Sequence, residues 1–138
     1  MSEMDAAMAA WPKGIFAITL FSEDLGAAKQ FYQDVFGLPV VYEDANSCVF
    51  EIGRTLINLL KISEAAGLIE PAAVANRSAG ARLMFTIDVE HVDSLCADLA
   101  ARGVALINGP LDRPWGVRTA SFADPAGNIW EIAQRLAG

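Results

Sequence analysis

The residues best placed to do chemistry lie in one stretch, Pro114 to Arg135, PWGVRTASFADPAGNIWEIAQR. It carries one carboxylate inside a β-forming run, Glu131, one guanidinium in another, Arg118, and one large ring in a loop, Trp115. A carboxylate in an apolar cleft can act as a general base or neutralise a ligand's cation, and in a sheet it can equally serve as an acceptor for neighbouring strands. A ring between Pro114 and Gly116 is costly to leave in water unless it covers something, either a ligand or a packing partner on its own or a second chain. Elsewhere the chemistry is sparse. The chain has one histidine, His91, and two cysteines, Cys48 and Cys96, without metal-ligand spacing. A lone imidazole excludes mechanisms that need several. In VEHVDSL, His91 belongs at the edge of a helix, and the cysteines read as buried thiols rather than a disulfide.

These side chains need elements to hold them. Asp124 and Pro125 favour a turn, Gly127 can take positive φ, and Ile129 and Trp130 resume a strand, so Val117–Ala123 and Ile129–Ala133 form a hairpin. Upstream, Ile15–Leu20 reads as a strand, and Ser22, Glu23 and Asp24 start a helix whose apolar positions are Leu25, Ala28, Phe31, Tyr32 and Val35. Gly37 ends it, and strands follow at Val40–Glu43, Cys48–Ile52 and Thr55–Ile62. After a connection with Pro71 and Gly80 the pattern restarts. Leu83–Val89 is a strand, Val92, Leu95, Cys96 and Leu99 mark a helix, Gly103 stops it, and Val104–Ile107 precedes the hairpin. Ser22-Glu23-Asp24-Leu25 overlays Val89-Glu90-His91-Val92 at an offset of 67 residues. The chain is thus read as one domain of two βαβββ modules, about 13–62 and 81–135, joined by 63–80. A module this short cannot bury a sheet face alone. The expected fold is α+β, a curved mixed sheet around a cleft with helices outside.

Composition narrows the function classes. At 138 residues, 54% of them hydrophobic and with a mean hydropathy of +0.33, the chain can bury one core and is not disordered. No run of 18 uncharged apolar residues suggests a membrane span. With 17 acidic against 10 basic residues, the net charge of −7 opposes binding to a phosphate backbone. Nucleic acid and membrane are therefore not expected partners. The N-terminal MSEMDAAMAAWPKG lacks the basic start of an export signal, so the expected location is the cytoplasm.

Paired βαβββ modules, FYQDVFGLPVV after the first strand, VEHVDSLCADLAARGV in the second module and DPAGNIWEI at the end together resemble the vicinal oxygen chelate superfamily of glyoxalases, bleomycin resistance proteins and extradiol dioxygenases. The resemblance covers about residues 13–135. It implies metal ligands on the first and last strand of each module, positions that hold Ala17, Asn58, Met84 (or Arg82, two residues earlier on the same strand face) and Glu131 here. Ala17 has no donor, Asn58 is a weak neutral one, and a thioether prefers soft metals. One carboxylate cannot replace the three protein ligands of a catalytic site. The expectation is therefore no metal and no cofactor, and no residue is assigned as catalytic.

If those positions mark the cleft, strand alternation turns Thr19, Leu56, Asn58, Leu60, Met84, Thr86, Ile129 and Glu131 toward it. Trp115 closes it, and Phe50 and Arg118 are further wall candidates, while Phe31, Tyr32, Phe36 and Trp130 fall in the core. The Pro-Trp-Gly loop, the following arginine and DPAGN are most similar to the antibiotic-binding resistance members. The resemblance thus implies a homodimer, with each cleft completed by a second chain, that sequesters a small hydrophobic or aromatic molecule. The alternative is a lyase, isomerase or dioxygenase using Glu131 as base or with a metal; a third is a regulatory module whose shallow cleft is filled by its own side chains.

Overall fold

The computed structural model describes residues 14–137, so the N-terminal stretch weighed above as an export signal lies outside the described residues. Strand β1 (Ala17–Ser22) leads into helix α1 (Leu25–Asp34) and strands β2 (Val40–Glu43), β3 (Ser47–Ile52) and β4 (Thr55–Lys61). The connection contains a short helix α2 (Ala66–Ile69) between two 3₁₀ turns, Ile62–Glu64 and Arg77–Ala79. The second module repeats the order: β5 (Met84–Asp88), α3 (Val92–Ala101), β6 (Leu106–Arg113), β7 (Val117–Ala123) and β8 (Ile129–Arg135). The two-module α+β architecture expected from the sequence is therefore present. The strands hydrogen-bond within each module, as two four-stranded sheets ordered β1-β4-β3-β2 and β5-β8-β7-β6. In each sheet the first and last strands of the module run parallel and the other pairs are antiparallel.

Local chemistry explains the helix ends. Asp24 caps α1 by accepting from Ala27 N at 3.0 Å, and Gly37, at φ +67°, turns the chain beyond it. His91 occupies the equivalent cap of α3 and is exposed, as expected, but its side chain makes no capping bond. Gln134 substitutes for it, its Oε1 accepting from Val92 N at 2.9 Å.

One face of both sheets is closed by α1 and α3. Ile18 and Leu20 of β1, Cys48 and Phe50 of β3, Ile57 and Leu59 of β4, Ala120 and Phe122 of β7 and Trp130 and Ile132 of β8 all turn into this layer. Helix α1 bridges the modules, since Tyr32 lies 5.9 Å from Phe50 in the first sheet and 6.1 Å from Trp130 in the second, ring centre to centre. Tyr32 is fully buried, and its hydroxyl donates to Asp124 Oδ2 at 2.6 Å while accepting from Trp130 Nε1 at 3.0 Å. Asp124 also receives Ala126 N and Asn128 N on Oδ1 and Asn128 Nδ2 on Oδ2, each at 2.9 Å. The turn expected from Asp-Pro-Ala-Gly-Asn is thus tied through its first residue to a helix of the other module. Burial, then the Asp124 carboxylate, hold the Tyr32 hydroxyl far above the ordinary tyrosine pKa. Both cysteines are unpaired and buried, and burial pushes their thiols up.

One element differs in extent from its sequence expectation. The strand expected at Val104–Ile107 runs instead from Leu106 to Arg113, through Asn108-Gly109-Pro110, which looks like a strand terminator. The ladder absorbs this segment through two register shifts. Gly109 is required there: at φ +91° it packs so close to β7 that a Cβ would collide with the Thr119 carbonyl and Ala120 Cα.

Candidate functional site

Alternation turns the remaining side chains to the open face of each sheet, opposite the helices. In the first sheet Thr19 of β1 stands beside Asn58 of β4, and Asn58 Nδ2 donates to Thr19 Oγ1 at 3.3 Å. Asn58 Oδ1 is shielded from solvent without a hydrogen-bond partner among the described residues. Leu60 follows on the same face, and Thr19 and Ala17 are exposed. In the second sheet the register repeats: Met84 pairs with Ile129, and Thr86 pairs with Glu131. Thr86 Oγ1 donates to Glu131 Oε1 at 2.9 Å, which holds the carboxylate against its own sheet. Met84 is 49% exposed, so its thioether is a surface rather than a core group.

The structure therefore brings Thr19, Asn58 and Leu60 together on one sheet and Met84, Thr86 and Glu131 on the other. Two expected wall residues belong elsewhere. Phe50 has the parity of Cys48 and is fully buried against Tyr32, so it is a core residue. Arg118 has the parity of Ala120 and Phe122 and points to the helix side, where Nε pairs with Asp93 Oδ1 at 2.8 Å and Nη1 with Asp112 Oδ1 at 2.9 Å. The hydrogen bonds to Asp93 and then Asp112 push its pKa up further. Trp115 sits at the tip of the β6–β7 hairpin, 71% exposed, with Gly116 at φ +87° completing the turn. Tyr32 and Trp130 are buried as expected, with Phe31 and Phe36 packed against them.

The same open face holds residues that the sequence reading passed over. Ser121 pairs with Glu131 and Thr119 with Ala133, so both hydroxyls face the Glu131 side, and both residues are buried. Arg113 of β6 lies across them, with Nε donating to Thr119 Oγ1 at 2.9 Å and Nη2 to Asn108 Oδ1 at 3.1 Å. From Thr86 through Glu131, Ser121 and Thr119 to Arg113, a polar row crosses the second sheet. A signal for part of it was present: once Glu131 fixes one face of β8, the Asp124–Asn128 turn sets Ser121 opposite it, and alternation then adds Thr119.

A divalent metal would have to be held by the four strand positions named above. Their donor set does not fit one: Ala17 offers nothing, Asn58 offers a single neutral amide oxygen, Met84 is a thioether, and Glu131 is the one carboxylate. Among the described residues no three His, Cys, Asp or Glu side chains cluster closely enough to hold an ion. A cavity of about 260 Å³ opens beside Thr19, between Glu23, Arg77, Arg82 and the Ala126–Asn128 turn, but it does not reach Asn58, Thr86 or Glu131.

Two βαβββ modules with matching polar pairs on their open sheet faces define the class of this protein. The chain belongs to the Glyoxalase/Bleomycin resistance protein/Dioxygenase superfamily, whose model matches residues 14–132. A glyoxalase/bleomycin resistance protein/dioxygenase from Nocardioides superposes with a TM-score of 0.85 at 23% identity, over 99% of this chain and 93% of that one. The lactoylglutathione lyase of Agrobacterium tumefaciens gives 0.71 at 28% identity, over 89% and 94%. TnmS3, an antibiotic binding protein from Streptomyces sp. CB03234, gives 0.70 at 24% identity, over 92% and 99%. Among the described residues no helix is long and apolar enough to cross a membrane.

Proposed function

We propose that the protein binds a small hydrophobic or aromatic organic molecule on the open sheet faces without using a metal, and acts in the cytoplasm by sequestering an antibiotic or related natural product. The observation that carries this reading is the donor set of the four strand positions, Ala17, Asn58, Met84 and Glu131. It offers contact surface and a few hydrogen-bonding groups, the composition of a site that orients an organic ligand. A second copy of the chain would complete the site. Support comes from the exposure of Ile15, Leu83, Met84, Leu111 and Trp115, apolar side chains that a lone chain would leave in water. TnmS3 indicates that this fold can host antibiotic binding, and nothing in its likeness to this chain goes beyond the fold.

The rival reading, a lyase like the Agrobacterium protein, draws on that relative and on Glu131 as a base. Glu131 is held by Thr86 Oγ1, and no second titratable side chain bonds to it among the described residues. Equilibrium dialysis against anthraquinone-2-carboxylate, with chromatographic recovery of the probe, tests the proposal. Saturable binding with the probe returned intact is expected. In a parallel assay, turnover of the methylglyoxal–glutathione hemithioacetal at about 1 per second or faster, with or without added divalent metal, would overturn it in favour of the lyase.

A further inference from the structure

From the second sheet we infer that Arg113 is the specificity-determining residue of the open face and selects ligands carrying an anionic group, a carboxylate or an ionised phenol, beside their apolar body. The inference rests on the binding role proposed above and adds the chemical class of the ligand.

Its basis is the way Arg113 is held. The guanidinium is half-buried and fixed at two points by neutral acceptors, Thr119 Oγ1 on Nε and Asn108 Oδ1 on Nη2. Thr119 is itself 1% exposed, so one anchor is rigid. Among the described residues no carboxylate lies within 4.0 Å of Arg113, and its Nη1 makes no hydrogen bond. Arg118, on the same hairpin but the opposite face, is neutralised by Asp93 and Asp112. In a chain of net charge −7, carboxylates are abundant, yet none pairs with Arg113. A planar fork held in place with unused donors is the arrangement that receives a carboxylate or phenolate with little further ordering. Arg135 strengthens the field. Arg113 pairs with Val117 and Val117 with Arg135, which sets a second cation in the same cross-strand row, at the Trp115 end of the sheet. An aromatic acid lying on this face would bring its ring toward Trp115 and its anion to Arg113, leaving Glu131 for a donor group farther along.

The test compares anthraquinone-2-carboxylate with anthraquinone-2-carboxamide, two probes of one shape that differ in charge, by calorimetric titration of the whole chain. The global charge of the protein disfavours an anion, so any preference for the acid must be local. The acid is expected to bind about tenfold more tightly than the amide, with the preference shrinking as salt rises from about 50 to about 500 mM. Arg113→Gln should bring the two dissociation constants within about threefold of each other, through a larger loss for the acid than for the amide. The wild-type comparison does not depend on the variant folding. Equal binding of acid and amide by the wild type overturns the role of Arg113 and leaves the binding proposal standing. Binding of neither probe removes both. A preference for the acid that survives Arg113→Gln also overturns the assignment, as does a dimer that this substitution splits, because Arg113 would then be matched by the second chain.

Discussion

The two faces of the same sheets follow opposite rules. On the helix side no buried side-chain polar atom lacks a partner among the described residues: Tyr32, Asp124 and Trp130 close a buried network, and Arg118 meets two carboxylates. On the open side Arg113 is held by neutral groups, Asn58 Oδ1 has no partner among the described residues, and Glu131 leans on one threonine. Unsatisfied polarity on the buried side would cost stability, so the fold's specification concentrates there. The open side meets that requirement less completely, since Asn58 Oδ1 is shielded without a partner among the described residues, and its polar groups are left for recognition. The contrast between Arg113 and Arg118, five residues apart on one hairpin, states the difference within a single element.

This contrast can be broken first on the helix side. Asp124→Ala strands two backbone donors, the Asn128 amide and the Tyr32 hydroxyl at once, and should cost about 3 kcal/mol or more, lowering the thermal midpoint by about 10 °C. A calorimetric melt checks it; a shift of a degree or two would mean the network does not hold the modules together. Tyr32→Phe removes the hydroxyl and leaves Trp130 Nε1 without its acceptor, with an expected loss of about 1 to 3 kcal/mol. The same hydroxyl sets a pH dependence. Its folded pKa is raised, so the stability it confers is complete below the ordinary value of 10.0 and falls as pH rises past it, because the unfolded chain ionises there and the native one does not. Urea melts from pH 8 to 11 should show this decline in the wild type and a weaker one in Tyr32→Phe. The smallest effect belongs to the open face: Glu131→Gln keeps an acceptor for Thr86 and should change stability by less than about 1 kcal/mol. A loss as large as that of Asp124→Ala would make Glu131 a structural residue and erase the contrast.

Much of the helix side was legible in the sequence. The apolar spacing of Leu25, Ala28, Phe31 and Tyr32, the cap at Asp24 and the turn at Asp124–Asn128 obey local rules, and the 67-residue overlay carried them from one module to the other. That Thr19 shares a face with Asn58, and Thr86 with Glu131, also followed, since parity survives small errors in strand ends. Arg113 did not. Asn108-Gly109-Pro110 reads as a break, and the bulges that carry the strand through it depend on Gly109 lying against the backbone of β7, a tertiary contact with no local signature. Arg118 and Phe50 were misplaced for a different reason: both lie on regular ladders, where alternation from Thr119 turns Arg118, and pairing with Ile57 turns Phe50, to the helix side.

Binding of an aromatic ligand to the open face, under the hairpin tip, is tested at Trp115, the most exposed ring of that hairpin. Titration of the wild type with anthraquinone-2-carboxylate should quench or shift tryptophan fluorescence. Trp115→Ala should weaken binding by about 2 kcal/mol while moving the thermal midpoint by no more than a few degrees. An unfolded or monomerised Trp115→Ala whose folded fraction binds the probe as tightly as the wild type would contradict the claim and assign the ring to packing.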